Sequence, residues 1–585
     1  MFPPILVMAL RHKLMNIESE TKLKILMEYC ITCLLFTMLC LGTVVIVFKH
    51  NGSLVTAFSD HTDFAFHYLC LATVLAISIP LIEYFFKKYV MFQFNFNDLN
   101  SSNSSHQMLY VHLLCAYSFV LGLLNFTRCF DNTLWGDEAF SVALARSNVQ
   151  SMITTTANDV HPPLYYLILQ LLHTILGDNG FAYHVISLLP YILILILGVT
   201  YIRKHYGIIT SFIFVTMSSL MECALVCNVE IRMYSWANFF VLCAFLLFCK
   251  ILEADKFRYY IFFSFFSLAA AYTHYYALVA VGLLFLILWV LILKSHKNLI
   301  KLVISSLIAI LGYIPWLKIL LTTFSRTSDS WWNKMIPTVK TCFLYLFDHL
   351  WMFPILIAVF VAFYLYESKT IVVETKKIDV TNKYKVSFGK PTLDTYNIVV
   401  VTSGIIVVLG ITIIGLTMSY LIRPLFLERY LFPVSGIIYL IVGIAFSKMK
   451  FRKVWSVLIV LVLLTFGIKN FKTIYQSDKQ LDNSTKQMVN IVDAQSNDIM
   501  ITNSSHHSWT ILEYYYPSVK IAAVSDCTQI VDYINNSQDA WILWATKLDD
   551  NFIQSLKEEG YEIENVSTGY IGAPNMLYAY HVKSE

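Results

Sequence analysis

Leu134-Trp135-Gly136-Asp137-Glu138-Ala139-Phe140-Ser141, followed one short helix later by Asn158-Asp159-Val160-His161-Pro162-Pro163-Leu164-Tyr165-Tyr166, is the stretch that decides how this chain is read. It gathers acidic side chains in one connection between long apolar runs. Such groups are costly to hold near lipid and usually persist there because they act on something.

Around that stretch the chain is oily. Of its 585 residues 57% are hydrophobic and only 14% charged, with a mean hydropathy of +0.62, where soluble domains carry roughly 25% charged residues. The composition is that of a polytopic α-helical membrane protein. The net charge of +4 is small and forms no clustered basic face, so nucleic acid is not an expected partner. The 12 cysteines show no metal-ligand spacing and many fall inside apolar runs, which points to no zinc site and no disulfide framework. Arg11, Lys13, Lys22 and Lys24 precede an apolar stretch with no small-residue cleavage site, which reads as an uncleaved first span.

Apolar runs of about 17 to 25 residues, the length that crosses a bilayer, recur near 25–48, 64–86, 107–126, 181–202, 207–227, 234–252, 259–273, 277–294, 300–322, 344–366, 396–420, 430–447 and 454–470. That is about 13 spans. With the N-terminus cytoplasmic, about 24 basic residues fall in inside loops against about 9 outside, the expected bias. Residues 127–180 then form one external loop. The apolar segment His161–Leu176 is about 24 Å long as a helix, too short to cross. It reads as a surface helix, like the one near 138–147.

Three parts follow: an N-terminal extra hairpin and cytoplasmic loop (1–106), a transmembrane catalytic unit (107–477) and an extracytoplasmic tail (478–585). In the tail short strands alternate with polar helices, the pattern of a small α/β domain with no phosphate loop. It reads as a lid or docking domain.

Transfer of a sugar from a phosphate carrier to a hydroxyl needs a base for the acceptor proton and cations for the departing phosphate. Asp137 or Glu138 suits the base, with Asp159 as a second acidic group. Arg232, Arg423 and Arg429 come at outer ends of spans, and an arginine fork suits phosphate. Each residue also has a plainer reading. Asp137 can cap a helix, Glu138 can serve the helix dipole, and Asp159 and His161 stand before a proline pair where polar residues gather. The arginines can snorkel, and His274 with its tyrosines can sit in an interfacial turn. One shared side of the membrane unites the set.

In order, "DEA.S" at Asp137, "D.HPPLYY" at Asp159, "E.RMY" at Glu230, "THYY" at Thr273 and "R....RY" at Arg423 resemble the lipid-dependent membrane glycosyltransferases of the protein O-mannosyltransferase and aminoarabinose-transferase superfamily, the GT-C fold. The resemblance covers roughly residues 107 to 470. It implies inverting transfer from a polyprenyl-phosphate sugar, with Asp137 as base or acceptor-orienting carboxylate and Asp159 beside it. His161, Arg232, Tyr234, His274, Tyr275, Arg423 and Arg429 are the candidate substrate-binding residues. The expected partners are the polyprenyl-phosphate-linked donor, an acceptor protein, lipid or glycan, and membrane lipid. No cofactor is expected, with a divalent metal at Asp137 and Asp159 left open.

Three rival readings, one enzymatic and two not, stay in view. An oligosaccharyltransferase shares the fold and uses a lipid-diphosphate donor, but Ser330-Trp331-Trp332-Asn333 lacks the Asp of that class's Trp-Trp-Asp signature and lies mid-chain. A transporter would show charged midplane residues and related halves. Few spans hold a charge, Glu222, Lys318 and Asp348 being exceptions, and no repeat is visible. A membrane scaffold would use the acidic loop for docking.

Overall fold

The computed structural model describes residues 105–584 apart from 131–132, 296–298, 327–334, 369–371, 379–380, 388–394, 449–451, 504–505, 535–538 and 573–575. The two expected spans before residue 105, and the Trp331-Trp332 pair, lie outside these residues.

Every apolar run expected after residue 106 is helical. Among the described residues eight helices are long and apolar enough to cross a membrane, or up to nine with one bent pair counted as a span. Ile208–Leu220 and Phe257–Ala271 are shorter, at 13 and 15 residues. The apolar window of Glu428–Lys448 is 100% buried and that of Tyr234–Glu253 72% buried, against 22% for Leu299–Thr323. The first two are therefore the axis of the bundle. They meet closely because Gly436 has no side chain: its N–H donates to Asn238 Oδ1 at 2.9 Å, and a Cβ there would stand 2.8 Å from that oxygen.

Asp348 explains the charges expected inside spans. It stands at an 82° bend between Val339–Phe347 and Met352–Glu367, with a positive φ of 61°. Its carboxylate accepts from Glu222 N at 3.1 Å and Asn470 Nδ2 at 2.6 Å. An acid at the start of the helix Glu222–Cys227 thus fills the role of a cap across the fold.

The loop at 127–180 holds three helices, Gly136–Arg146, Val149–Asn158 and Leu164–Leu176, where the sequence suggests two. The extra one begins at Asn148, whose side chain accepts from Ser151 N, and its Thr154-Thr155-Thr156 run has the low helix propensity that hides it. Leu164–Leu176 opens after Pro162-Pro163 and stops at Gly177, φ 104°.

The last apolar run does not end where the tail was expected to begin. Arg452–Ile491 is one helix of 40 residues that passes through 478 unbroken. Beyond it β3 (Ile499–Asn503), β4 (Lys520–Val524), β5 (Asp539–Trp544), β6 (Tyr561–Tyr570) and β7 (Met576–Ser584) form a sheet in the order β4-β3-β5-β7-β6. β3 is parallel to β4 and β5, while β7 is antiparallel to its neighbours. The Lys-rich connection after residue 367 holds an antiparallel hairpin, β1 (Val372–Ile378) with β2 (Thr381–Ser387).

The tail is docked on the external loop. Arg128 pairs with Asp478 at 2.8 Å and also donates to the Leu225 carbonyl. The Arg146 guanidinium lies 5.1 Å from the centroid of the Tyr514 ring. Leu134 N donates to the Tyr515 hydroxyl at 3.0 Å, and Gly572 N donates to Thr485 Oγ1 at 3.2 Å. Gly572 has φ +70°, and a Cβ there would meet the Leu134 carbonyl oxygen at 2.2 Å.

Candidate active site

The two axial helices bring the ends that carry Tyr234 and Arg429 together under the first helix of the loop. Tyr234 opens one of them two residues after Arg232, and Arg429 and Tyr430 precede the other in the 3₁₀ turn Glu428–Val434. Asp137 is the second residue of Gly136–Arg146, after the N-cap Trp135. It is not the cap, so its carboxylate points elsewhere. Asp137 Oδ2 stands 3.3 Å from Arg429 Nη2 and 3.7 Å from Arg232 Nη2.

Arg232 is buried and holds the loop helix from below. Its Nη1 donates to the Asp137 carbonyl at 3.1 Å, to Ser141 Oγ at 3.2 Å and to the Tyr166 hydroxyl at 3.5 Å. Burial works against its charge, and Tyr166, Asp137, Tyr234 and Asp159 outweigh that cost. Arg429 lies between two aromatic faces, 5.8 Å from the Trp135 centroid and 5.7 Å from that of Tyr234, where cation–π attraction steadies it. The Nε atoms of both arginines and the Tyr234 hydroxyl are buried without a partner.

Glu138 turns the other way. Its Oε2 accepts from Trp135 N at 3.1 Å and its Oε1 from Ile231 N at 2.9 Å, so this carboxylate ties the loop to the segment carrying Arg232. Asp159 ends Val149–Asn158 and is half-buried, near enough for its charge to support Arg232.

His161 and His274 are both buried, with ring centroids 5.8 Å apart and planes 29° from parallel. His274 also meets the rings of Tyr234 at 5.6 Å and Tyr430 at 5.1 Å. Its Nδ1 accepts from Tyr276 N at 3.2 Å, which leaves the proton on Nε2. Burial, then Arg429 and Arg232, pushes His274 down to about 3. Burial, then Arg232, His274 and Arg429, holds His161 well below the usual histidine range. The Leu164 N–H donates to the Tyr272 carbonyl at 3.0 Å, which locks the His161 segment to the His274 turn.

Tyr275 is turned to the rim, its hydroxyl accepting from Trp316 Nε1 at 3.2 Å. Arg423 lies half-buried at the other end of the connection from Arg429. Among the described residues no group of three or more His, Cys, Asp or Glu forms a metal-ligand set.

Glu230 was read only as part of a motif and belongs here. It is half-buried. Burial, then repulsion from Glu138, raises it to about 7 against the pull of Arg429 and Arg232. An acid two residues before an arginine at an outer helix end was the available signal. Trp135, Ser141 and Tyr166 were quoted in the motifs and given no role; aromatic and hydroxyl groups there look like core until the arginines are seen against them.

No protein-family model matches the sequence, and no curated protein matches it. Solved structures do. The chain is similar to ArnT from Cupriavidus metallidurans in the apo state, with a TM-score of 0.55 and 10% identity over 81% of this chain and 98% of that one. The same protein bound to undecaprenyl phosphate gives a TM-score of 0.54 and 10% identity over 82% and 98%. At that identity what is shared is the fold: this chain is a GT-C-type polytopic membrane protein with a small C-terminal sheet domain.

Proposed function

We propose that the protein is a membrane glycosyltransferase that moves a sugar from a polyprenyl-phosphate carrier to an acceptor hydroxyl, on the extracytoplasmic side and with inversion. One observation carries the reading: a carboxylate, Asp137, is held between two arginine forks at 3.3 and 3.7 Å at the outer end of the bundle. The similarity to an ArnT bound to undecaprenyl phosphate supports the choice of carrier.

The chemistry follows from the pairing. A carrier phosphate engages the arginines that now hold Asp137, and the released carboxylate is free to meet the acceptor hydroxyl. It takes the acceptor O–H proton as that oxygen bonds to the anomeric carbon; the carbon–oxygen bond to phosphate breaks on the opposite face, and the leaving charge stays with Arg429 and Arg232. Asp159 supports the cation from the side. Glu138 acts as a positioning residue, since backbone N–H groups hold both its oxygens.

The test is incubation of the purified protein with polyprenyl-phosphate and polyprenyl-diphosphate sugars, following carrier release. Release from monophosphate donors is expected. Turnover only with diphosphate-linked oligosaccharides overturns the reading.

A further inference from the structure

The site has two halves of different chemistry. One is charged: Asp137, Arg232 and Arg429. The other is polar and uncharged: His161, His274 and the Tyr234 hydroxyl, linked ring to ring through contacts of 5.6 and 5.8 Å.

The neutral half presents hydrogen-bonding groups that no described residue engages. His161 is 6% exposed and neither ring nitrogen makes a hydrogen bond among the described residues. His274 is 2% exposed, and its Nε2–H has no partner once Nδ1 has taken the Tyr276 N–H. The Tyr234 hydroxyl is buried and unpartnered as well. Leaving the sealed Tyr234 hydroxyl unsatisfied costs roughly 1–3 kcal/mol, and the two imidazoles beside it bring to the same place ring nitrogens that no described residue engages.

The partner's chemistry follows from theirs. Burial, with Arg232 and Arg429 beside them, keeps both imidazoles neutral, so the pair adds no positive charge for phosphate. A neutral imidazole offers one donor and one acceptor, and a phenol offers both from one atom. That is the complement of an alcohol, which donates and accepts at a single oxygen.

We propose that His161, His274 and Tyr234 form a sugar-hydroxyl subsite, which reads the ring of the donor sugar while the arginines hold its phosphate. The inference rests on the donor reading above and assigns the two ends of that donor to the two halves of the site. Sugar-charged carrier therefore gains affinity from the imidazoles, and bare carrier does not.

The test compares binding of two probes to the full chain in lipid nanodiscs without acceptor: bare undecaprenyl phosphate, and undecaprenyl phosphate charged with mannose, glucose or aminoarabinose. At least one charged carrier should bind the parent more tightly than the bare one. His161→Phe, which keeps a ring and loses both nitrogens, should weaken that charged carrier roughly three- to tenfold, the worth of one neutral hydrogen bond. Bare carrier should bind it as it binds the parent. His161→Gln restores a donor and an acceptor and should recover part of the loss at an unchanged unfolding temperature.

Equal loss for both probes, loss for neither, or a His161→Gln variant as weak as His161→Phe overturns the subsite and leaves the donor reading standing. A parent that binds neither probe overturns the donor reading itself, and the subsite with it.

Discussion

The N–H of Leu134 donates to the hydroxyl of Tyr515 at 3.0 Å, and through that bond the C-terminal domain holds the loop that carries Asp137 three residues on. Gly572 stands on the other side of Leu134, with φ +70° and no room for a Cβ against the Leu134 carbonyl. Gly572→Ala is therefore expected to cost about 1–3 kcal/mol of local strain and to push the tail off the loop. Transfer should fall although the residue touches no substrate. Tyr515→Phe should act in the same direction and more weakly, at about 0.5–1.5 kcal/mol. Turnover and thermal unfolding of both variants check this; normal turnover by Gly572→Ala would show that the docking is incidental.

Asp137→Asn keeps nearly the same shape and loses the proposed base. Transfer should drop about 10²- to 10⁴-fold, with folding and donor binding largely retained. Asp159→Asn should act more mildly, because Asp159 supports Arg232 from the side. Turnover at saturating donor decides, and parent-like turnover by Asp137→Asn places the base elsewhere.

Arg429→Lys keeps a charge but loses the planar fork beside Asp137 and the contacts with the Trp135 and Tyr234 rings. It should weaken donor affinity more than turnover at saturation. Arg423→Lys, at the far end of the same connection, should do less. The opposite ranking in donor titrations would move the phosphate grip to Arg423.

Two groups make stability depend on pH in opposite senses. Glu230 is raised to about 7 from its ordinary value near 4.5, so the folded state holds its proton more tightly and that contribution is lost as pH rises through 7. His274 is lowered to about 3 from about 6.5; its contribution is present above 6.5 and is lost as pH falls toward 3. Thermal unfolding should show Glu230→Gln losing the decline between about pH 4.5 and 7 while keeping the loss toward pH 3 that belongs to His274. An unchanged profile between 4.5 and 7 would mean that Glu230 is ionised throughout.

The basic-loop bias puts the β1–β2 hairpin inside and the tail outside. An impermeant thiol reagent added from outside should mark a Cys at the exposed Asn483 and miss one at Thr381. The reverse pattern would turn the site to the cytoplasm.

The bundle is legible in the sequence because a spanning helix must be apolar for about 20 residues in a row, and the tail strands because they alternate with polar helices. Other features are set by partners far along the chain. Asp137 and Glu138 are neighbours on a helix and point about 100° apart, so their separate duties follow only from where Arg429 and Ile231 lie. The passage of the last span through residue 478 is hidden because the chain turns polar there without a proline to stop the helix. Glu230 looks like any acid at a helix end until Glu138 and Arg429 are seen around it.

The unbroken helix Arg452–Ile491 has a mechanical meaning. Its 40 residues extend about 60 Å, twice the roughly 30 Å of a hydrocarbon core. It is a mast stepped in the bilayer with the sheet domain at its head, stayed to the loop at Asp478, Asp482 and Tyr515. A bilayer of another thickness tilts such a mast, and the tilt is delivered to Asp137. Membrane thickness thereby becomes a variable of the reaction.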